Sequence, residues 1–210
     1  MDKINKFESR GWVKAVVMLL IAVVILFVLL NFSYFAKQLG FYTDKIFVTD
    51  QQRQVKLAED HVEIGPDTLY IASLDIQAPI KYVEGKTEDV FQKALIDGVV
   101  QYPGTAAIGE KGNTYIFGHS SDFAFSKGHY KTVFALLPNI EIGADILISN
   151  SEGKIYKYKV YQKFVAKKTD VSLLSQQTNG KSILTLQTSY PVGTALQRYI
   201  VQAELVGEVK

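Results

Sequence analysis

The chain contains no cysteine. That absence excludes disulfides, thiolate metal sites and a thiol nucleophile within this polypeptide. It also leaves the redox compartment unreadable from composition. Histidine is scarce, with only His61, His119 and His129 in the chain, which argues against a histidine-rich metal cluster. Charge of one sign is not in excess. The formal net charge is +2, so there is no electrostatic footprint of a nucleic-acid partner. There is no internal repeat and no low-complexity tract. What remains is 210 residues, 48% apolar and 21% charged, enough for one good-sized domain carrying an apolar segment.

That segment lies near the start. Residues 1–14 are polar and carry Lys3, Lys6, Arg10 and Lys14. Ala15 to Leu30 is then unbroken apolar sequence, continuing through Asn31 and Ser33 to about Ala36. A helix of roughly 22 residues rises ~33 Å, about the thickness of the bilayer hydrocarbon core. A buried helix of a soluble protein would show a polar face, and none interrupts the run. A cleaved leader would have a shorter apolar core and a small-x-small site after it. The reading is an uncleaved transmembrane anchor over 15–36. Four basic residues precede it, against Lys37 and Lys45 just after it. This bias predicts a cytoplasmic N-terminus and an extracytoplasmic remainder. Trp12 on one side, and Tyr34 and Phe35 on the other, suit the two interfaces. Residues 37–67 are mixed and polar, punctuated by Gly40, Gly65 and Pro66, and read as a stalk. A helix over 49–62 is conceivable, but its periodicity is poor. His61, within it, reads as a solvated residue.

From Thr68 the pattern changes. LYIASLDIQAPIKYV alternates as strands do, with a break expected around Gln77–Pro79. Thr87 is placed as a helix N-cap, with Glu88 and Asp89 in the first turn. Val90, Phe91, Ala94 and Leu95 follow at helical spacing, and Asp97-Gly98 ends the helix. Pro103-Gly104 and GEKGN (109–113) read as turns. TYIFGH (114–119) is an apolar strand finishing in a polar residue. Phe123 to Leu137 is loop with a short helical piece. ILIS (146–149), a hairpin turn at 151–153 and the alternating run 155–168 follow, then a short turn capped by Thr169-Asp170. The count is about eight strands with few helices. Closing such a sheet removes its exposed edges.

The stretch from Ser182 to Val201, SILTLQTSYPVGTALQRYIV, reads as strand, Pro/Gly-containing loop and strand. Polar residues stand where one strand ends and the next begins: Thr188 and Ser189, then Arg198. Strand ends beside a loop are common places for chemistry. Taken singly, His119, Ser189 and Arg198 each have a bland reading: structural histidine, turn serine and solvated charge. Together, TLQTS, the GH of YIFGHSS and the Arg of TALQRYIV resemble, in order and spacing, the active-site signature of sortases. The flanking GVVQYPGTA and the helix before it match as well, so the resemblance covers about residues 68–207. GHSS with PVGT leans toward classes D and E. One departure falls on the reacting atom: sortases carry cysteine after TLxT, and this chain carries Ser189.

The resemblance implies a mainly β fold: a closed sortase-type barrel over 68–210. It implies a transpeptidase that cleaves an LPXTG-like sorting signal and passes the acyl group to an amine of the cell envelope. Position 189 would be the nucleophile. His119 would act as general acid and then base, and Arg198 would donate to the substrate carbonyl or oxyanion. Thr188, Tyr190 and Pro191 would touch the peptide, the loop 189–197 would help wall its groove, and Asp122 could orient His119. His129 reads as surface. No metal or other cofactor is expected: some sortases bind calcium through acidic loops, but Glu84, Glu88, Asp89 and Glu110 have no site-defining spacing. The expected location is the cell membrane, single-pass.

A serine hydroxyl is far less acidic than a thiol, whose ordinary pKa is about 8.5. No thiolate–imidazolium pair can form with it, so Ser189 would need His119 as base in the attacking step. Three accounts stay open at this stage: a replaced nucleophile that traps substrate, a natural domain that binds sorting signals without turnover, or a working serine. A purely structural domain is a further alternative.

Overall fold

The computed structural model describes residues 2–47, 64–121 and 128–209, with side chains in the first stretch described over 11–43. Helix α1 spans Asp2–Leu30 and helix α2 spans Phe32–Phe47, separated by a turn at Asn31. The apolar part of α1, Gly11–Leu30, has a mean hydropathy of 3.2, and none of its residues is buried by the rest of the chain. The helix therefore breaks before Ala36. Asn31 turns its amide back onto the Phe27 carbonyl, at 2.9 Å, competing with helix continuation as short polar side chains do.

Helix α2 docks on the domain with one stripe. Asn31, Tyr34, Phe35, Gln38 and Phe41 are partly covered, while Phe32, Leu39 and Tyr42 stay exposed, which is the spacing of one helix face. Lys37 donates to the Thr132 carbonyl at 3.2 Å, and Gln38 to the Ala135 carbonyl at 3.1 Å. Asn139 donates to Gln38 Oε1 at 2.9 Å, and Phe41 packs on the main core. Burial lowers the Lys37 pKa, against a smaller pull from Asp75. The start of the segment expected as a stalk is thus helix lying on the domain. Residues 48–63, which include His61 and the conceivable helix 49–62, lie outside the described residues.

Eight strands close into a barrel: β1 (Thr68–Ile71), β2 (Ile76–Tyr82), β3 (Val99–Gln101), β4 (Gly112–Phe117), β5 (Asp145–Ser149), β6 (Ile155–Lys167), β7 (Ser182–Tyr190) and β8 (Gln197–Val209). Around the barrel the order is β1-β2-β3-β4-β7-β8-β6-β5. The pairs β2–β3 and β4–β7 are parallel, and the rest are antiparallel. Helix α3 (Glu88–Leu95) bridges the parallel strands β2 and β3, a crossover that parallel pairing requires. Thr87 stands at its N-cap in extended conformation, without a side-chain capping bond. Asp170 does cap the turn Val171–Leu174, accepting from the Ser172 amide at 3.1 Å.

One expected break moved. The chain turns at Ala72–Asp75, where Asp75 takes a left-handed φ of 51°, and β2 runs straight through Gln77–Pro79. Pro79 pairs with Thr68 at the end of the β1 ladder, and the β3 ladder begins only at Ile80–Val99. A proline is tolerated there because its missing N–H falls between two ladders.

Alternation fixes the inside. Leu69, Ile71, Ala78, Ile80, Ile116, Ile146, Ile148, Tyr158, Leu184, Leu186, Val201 and Ala203 fill the barrel, all at 4% exposure or less. Tyr158 is buried among them, its hydroxyl accepting from the Gly109 amide at 3.0 Å. A smaller cluster covers the outer face of β4, β7, β8 and β6: Tyr115, Ala166, Leu173 and Ile200, flanked by Tyr102, Phe117, Phe164 and Leu174.

Replacing Leu186 by alanine removes fully buried methyls, so it is expected to cost about 2–5 kcal/mol in urea unfolding. Val171→Ala, at a side chain 77% exposed, should change stability by less than about 0.5 kcal/mol. Burial also raises the Tyr158 pKa, against weaker lowering by its hydrogen bonds. The phenol therefore ionises more easily in the unfolded chain, at its ordinary value of about 10. The stability it contributes is complete below that pH and is lost above it. Urea midpoints should hold level from neutral pH to about 9 and fall beyond about 10, and the fall should be shallower in Tyr158→Phe.

Candidate active site

The site is built by pairing. β4 and β7 lie parallel and in register from Gly112–Ser182 to Phe117–Gln187. Beyond the last pair the two backbones stay tied: the Gly118 amide donates to the Gln187 carbonyl at 3.1 Å, and Thr188 Oγ1 donates to the Gly118 carbonyl at 2.8 Å. Two steps past Phe117–Gln187 stand His119 and Ser189, at the same level. On the other side of β7, Ser189 pairs directly with Arg198 in the antiparallel β8 ladder. Neighbouring strands lie about 5 Å apart. The three residues predicted from the sequence therefore form a row, His119, Ser189, Arg198, across three adjacent strand ends.

They also share a face. Side chains alternate along a strand, and Leu184, Leu186 and Thr188 of β7 are buried on the inner side. Thr185, Gln187 and Ser189 therefore project outward, as do Tyr115 and Phe117 of β4 and Arg198, Ile200 and Gln202 of β8. Contacts on that face agree. Tyr115 Oη donates to Gln187 Oε1 at 2.5 Å, Thr185 Oγ1 to Asn113 Oδ1 at 2.8 Å, and Gln202 Nε2 to Thr185 Oγ1 at 3.1 Å. Burial raises the Tyr115 pKa, and the positive charge of Arg198 acts against it, as it would from the same side of the sheet.

Each member of the row is held differently. Gly118 puts His119 in place: a Cβ there would meet the Phe134 ring at 2.9 Å and Val133 and Val99 at 3.0 Å. Only glycine lets the end of β4 press this close to 133–134, where the His119 carbonyl accepts from the Phe134 amide at 2.9 Å. Arg198 Nη1 donates to the carbonyls of Ala195 and Gln197, at 3.2 and 3.0 Å, so its own loop braces the guanidinium. Ser189 and His119 are both partly exposed.

The other three expected residues, Thr188, Tyr190 and Pro191, flank Ser189 along the chain. Thr188 is 1% exposed and spends its hydroxyl on Gly118, tying β7 to β4 on the inner side. Tyr190, two residues on, shares that parity, and its ring lies 5.6 Å from the Tyr199 ring. Pro191 is exposed, its carbonyl accepting from the Thr194 amide at 3.1 Å. Asp122 lies outside the described residues, and His129 is exposed. Sequence reasoning missed Tyr115, Gln187 and the aromatic wall beside them, where Phe91 of α3 meets Phe117 edge-on at 5.0 Å and Tyr102 at 5.7 Å. The signal was present: a period of two in TYIFGH and TLQTS puts Tyr115, Phe117, Gln187 and Ser189 on one side.

A separate cavity of about 520 Å³ lies at the opposite barrel end, between the 105–110 loop and the 150–154 hairpin. It shares no residue with the row. Among the described residues, no three His, Asp or Glu side chains converge as a metal site would need.

The barrel has counterparts among solved structures. A sortase D5 transpeptidase from Clostridium perfringens superposes with a TM-score of 0.55 at 25% identity, covering 79% of this chain and 93% of its own. Sortase C1 from Streptococcus suis gives a TM-score of 0.58 at 21% identity, with 74% and 81% covered. Sortase C1 from Streptococcus agalactiae gives 0.55 at 24%, with 76% and 78% covered. No functionally curated protein matches the chain. The sortase domain model matches residues 69–206, nearly the whole barrel, and the chain belongs to the sortase family.

Proposed function

We propose that this chain is a membrane-anchored acyl-transfer site of the sortase type, acting on sorting-signal peptides outside the cell membrane. The observation that carries it is the register pair Ser189–Arg198 with His119 level on the other side. A peptide laid along the outer face of β4 and β7 would bring one carbonyl carbon to position 189. Phe117 and Gln187 would floor the groove, with Tyr115 buried beneath them, and Phe91 and Tyr102 would wall it.

In this reading His119 takes the proton of the attacking group and the carbonyl oxygen becomes an oxyanion. Arg198, with one nitrogen already braced, meets that oxygen with its remaining donors. The imidazolium then gives its proton to the leaving amine, and the peptide bond breaks. An incoming amine of the envelope attacks the acyl-enzyme, and His119 takes a proton from that amine and delivers it to residue 189 as the acyl bond is released. With a thiol at 189 the first proton transfer can precede attack, because a thiol ionises at a pKa of about 8.5 or lower beside positive charge. With a hydroxyl it must happen during attack, so the protein as it stands is a slow catalyst. The same hydroxyl favours a second reading: a tethered module that holds sorting signals without cleaving them.

The apolar stretch Gly11–Leu30 supports the anchor. The basic residues Lys3, Lys6, Arg10 and Lys14 support a cytoplasmic N-terminus with the barrel outside.

Incubation with a fluorogenic LPXTG-like peptide and an amine acceptor separates these readings. Ser189→Cys is expected to restore cleavage and transfer far above the unaltered protein. Within that background, His119→Ala should lower kcat/KM about 10²–10⁴-fold, and Arg198→Ala about 10²–10³-fold. Peptide binding with no turnover in either the unaltered protein or the Ser189→Cys variant would instead establish the binding module.

A further inference from the structure

The β7–β8 loop does not stand free in solvent. The amide of Thr194 donates to the Pro191 carbonyl at 3.1 Å, closing a turn with Gly193 near its tip at a φ of +73°. The Gly193 amide donates to Ser121 Oγ at 3.0 Å, tying the loop to the chain two residues beyond His119. A Cβ on Gly193 would sit 3.0 Å from Asn31 Oδ1 and 3.4 Å from the Phe27 ring. The loop beside the candidate site therefore touches the anchor helix itself.

That contact fixes a depth. Phe27 lies within the apolar stretch, three residues before its end at Leu30, which is a rise of about 4.5 Å. The polar interfacial layer on each side of a bilayer is itself roughly 5–7 Å thick. A loop packed against Phe27 and Asn31 thus lies at the level of the headgroups and upper acyl carbons. The composition agrees. The whole run Ser189–Gln197, SYPVGTALQ, carries no charge, whereas the loops at the far barrel end, GEKGN and NSEGK, do. Leu196, three residues past Gly193, is a large apolar side chain left 68% exposed.

We propose that the β7–β8 loop is a second membrane contact, seated in the outer interfacial layer with Leu196 among the phospholipid headgroups and first acyl carbons. The candidate site then opens onto the bilayer surface, and a peptide tethered in the same leaflet reaches Ser189 without leaving it. This rests on the anchor reading above. The docking of α2 on 132–139 holds the loop at that level by fixing the barrel against the anchor.

The absence of native cysteine makes the test direct. Full-length protein is reconstituted in vesicles of phosphatidylcholine and phosphatidylglycerol in equal parts, as single variants Val24→Cys, Leu196→Cys and Glu152→Cys carrying an environment-sensitive fluorophore. Quenching is read with lipids spin-labelled at the headgroup or in mid-chain. The label at 196 is expected to be quenched by headgroup probes several-fold more strongly than the label at 152, and the label at 24 by mid-chain probes. If 24 is quenched in mid-chain but 196 matches 152, the loop contact is overturned and the anchor stands. If 24 is not quenched, the anchor reading fails and takes the loop contact with it. If 196 is shielded from aqueous iodide yet unquenched by lipid probes, another occupant covers the loop and the proposal is likewise overturned.

Discussion

The parallel pairing of β4 with β7 is the constraint on which the rest of the domain depends. Parallel neighbours cannot be joined by a tight hairpin, so the chain must leave the end of β4, build β5 and β6 on the far side, and return to start β7. Both strands then finish at the same barrel rim. The tie between Thr188 and the Gly118 carbonyl seals that rim and levels His119 with Ser189. β8 then runs back antiparallel from the short loop and delivers Arg198 to the same height. Three residues far apart in the chain meet because one ladder is parallel and the next is not.

The rim is also where polarity changes sides. Inward positions of β7 are aliphatic down to Leu186 and end in Thr188, whose hydroxyl is consumed by a backbone carbonyl. Outward positions carry Thr185, Gln187 and Ser189, the first two linked to Asn113, Tyr115 and Gln202. Buried polar groups are tolerable only when paired, and these are paired to one another across strands. The result is a stiff polar floor beside an aromatic wall. Such a floor suits an extended peptide, which brings its own backbone donors and acceptors.

The cysteine-to-serine difference leaves the scaffold in place. The geometry that levels residue 189 between an imidazole and a guanidinium depends on backbone pairing, and no side chain at 189 enters those hydrogen bonds. A thiol or a hydroxyl would occupy the same position on the same ladder. What differs is the acidity of the side chain.

Much of this was legible in the residues. Alternation in β2 and β6 reflects one wetter and one dry side, and the apolar runs of β4 and β7 reflect burial on both sides, so the strands could be read locally. The apolar run before them could be read too, because a bilayer demands length and uniformity. His119, Ser189 and Arg198 could be named because each sits in its own short motif. What sequence could not decide was direction and neighbourhood. That Ser189 takes the outer face and Thr188 the inner one follows from register, which a one-residue slip would reverse. The strand through Pro79 depends on which ladder needs its N–H. The helix at 32–47 lies on the barrel because Lys37, Gln38 and Phe41 find partners 95 residues and more along the chain, or in the core. The sequence by itself determined the strands, the apolar helix and the candidate residues, since those rest on local period, composition and short motifs. Only the tertiary structure decided which groups share a face and how close the site lies to the anchor, since those rest on pairings between distant segments.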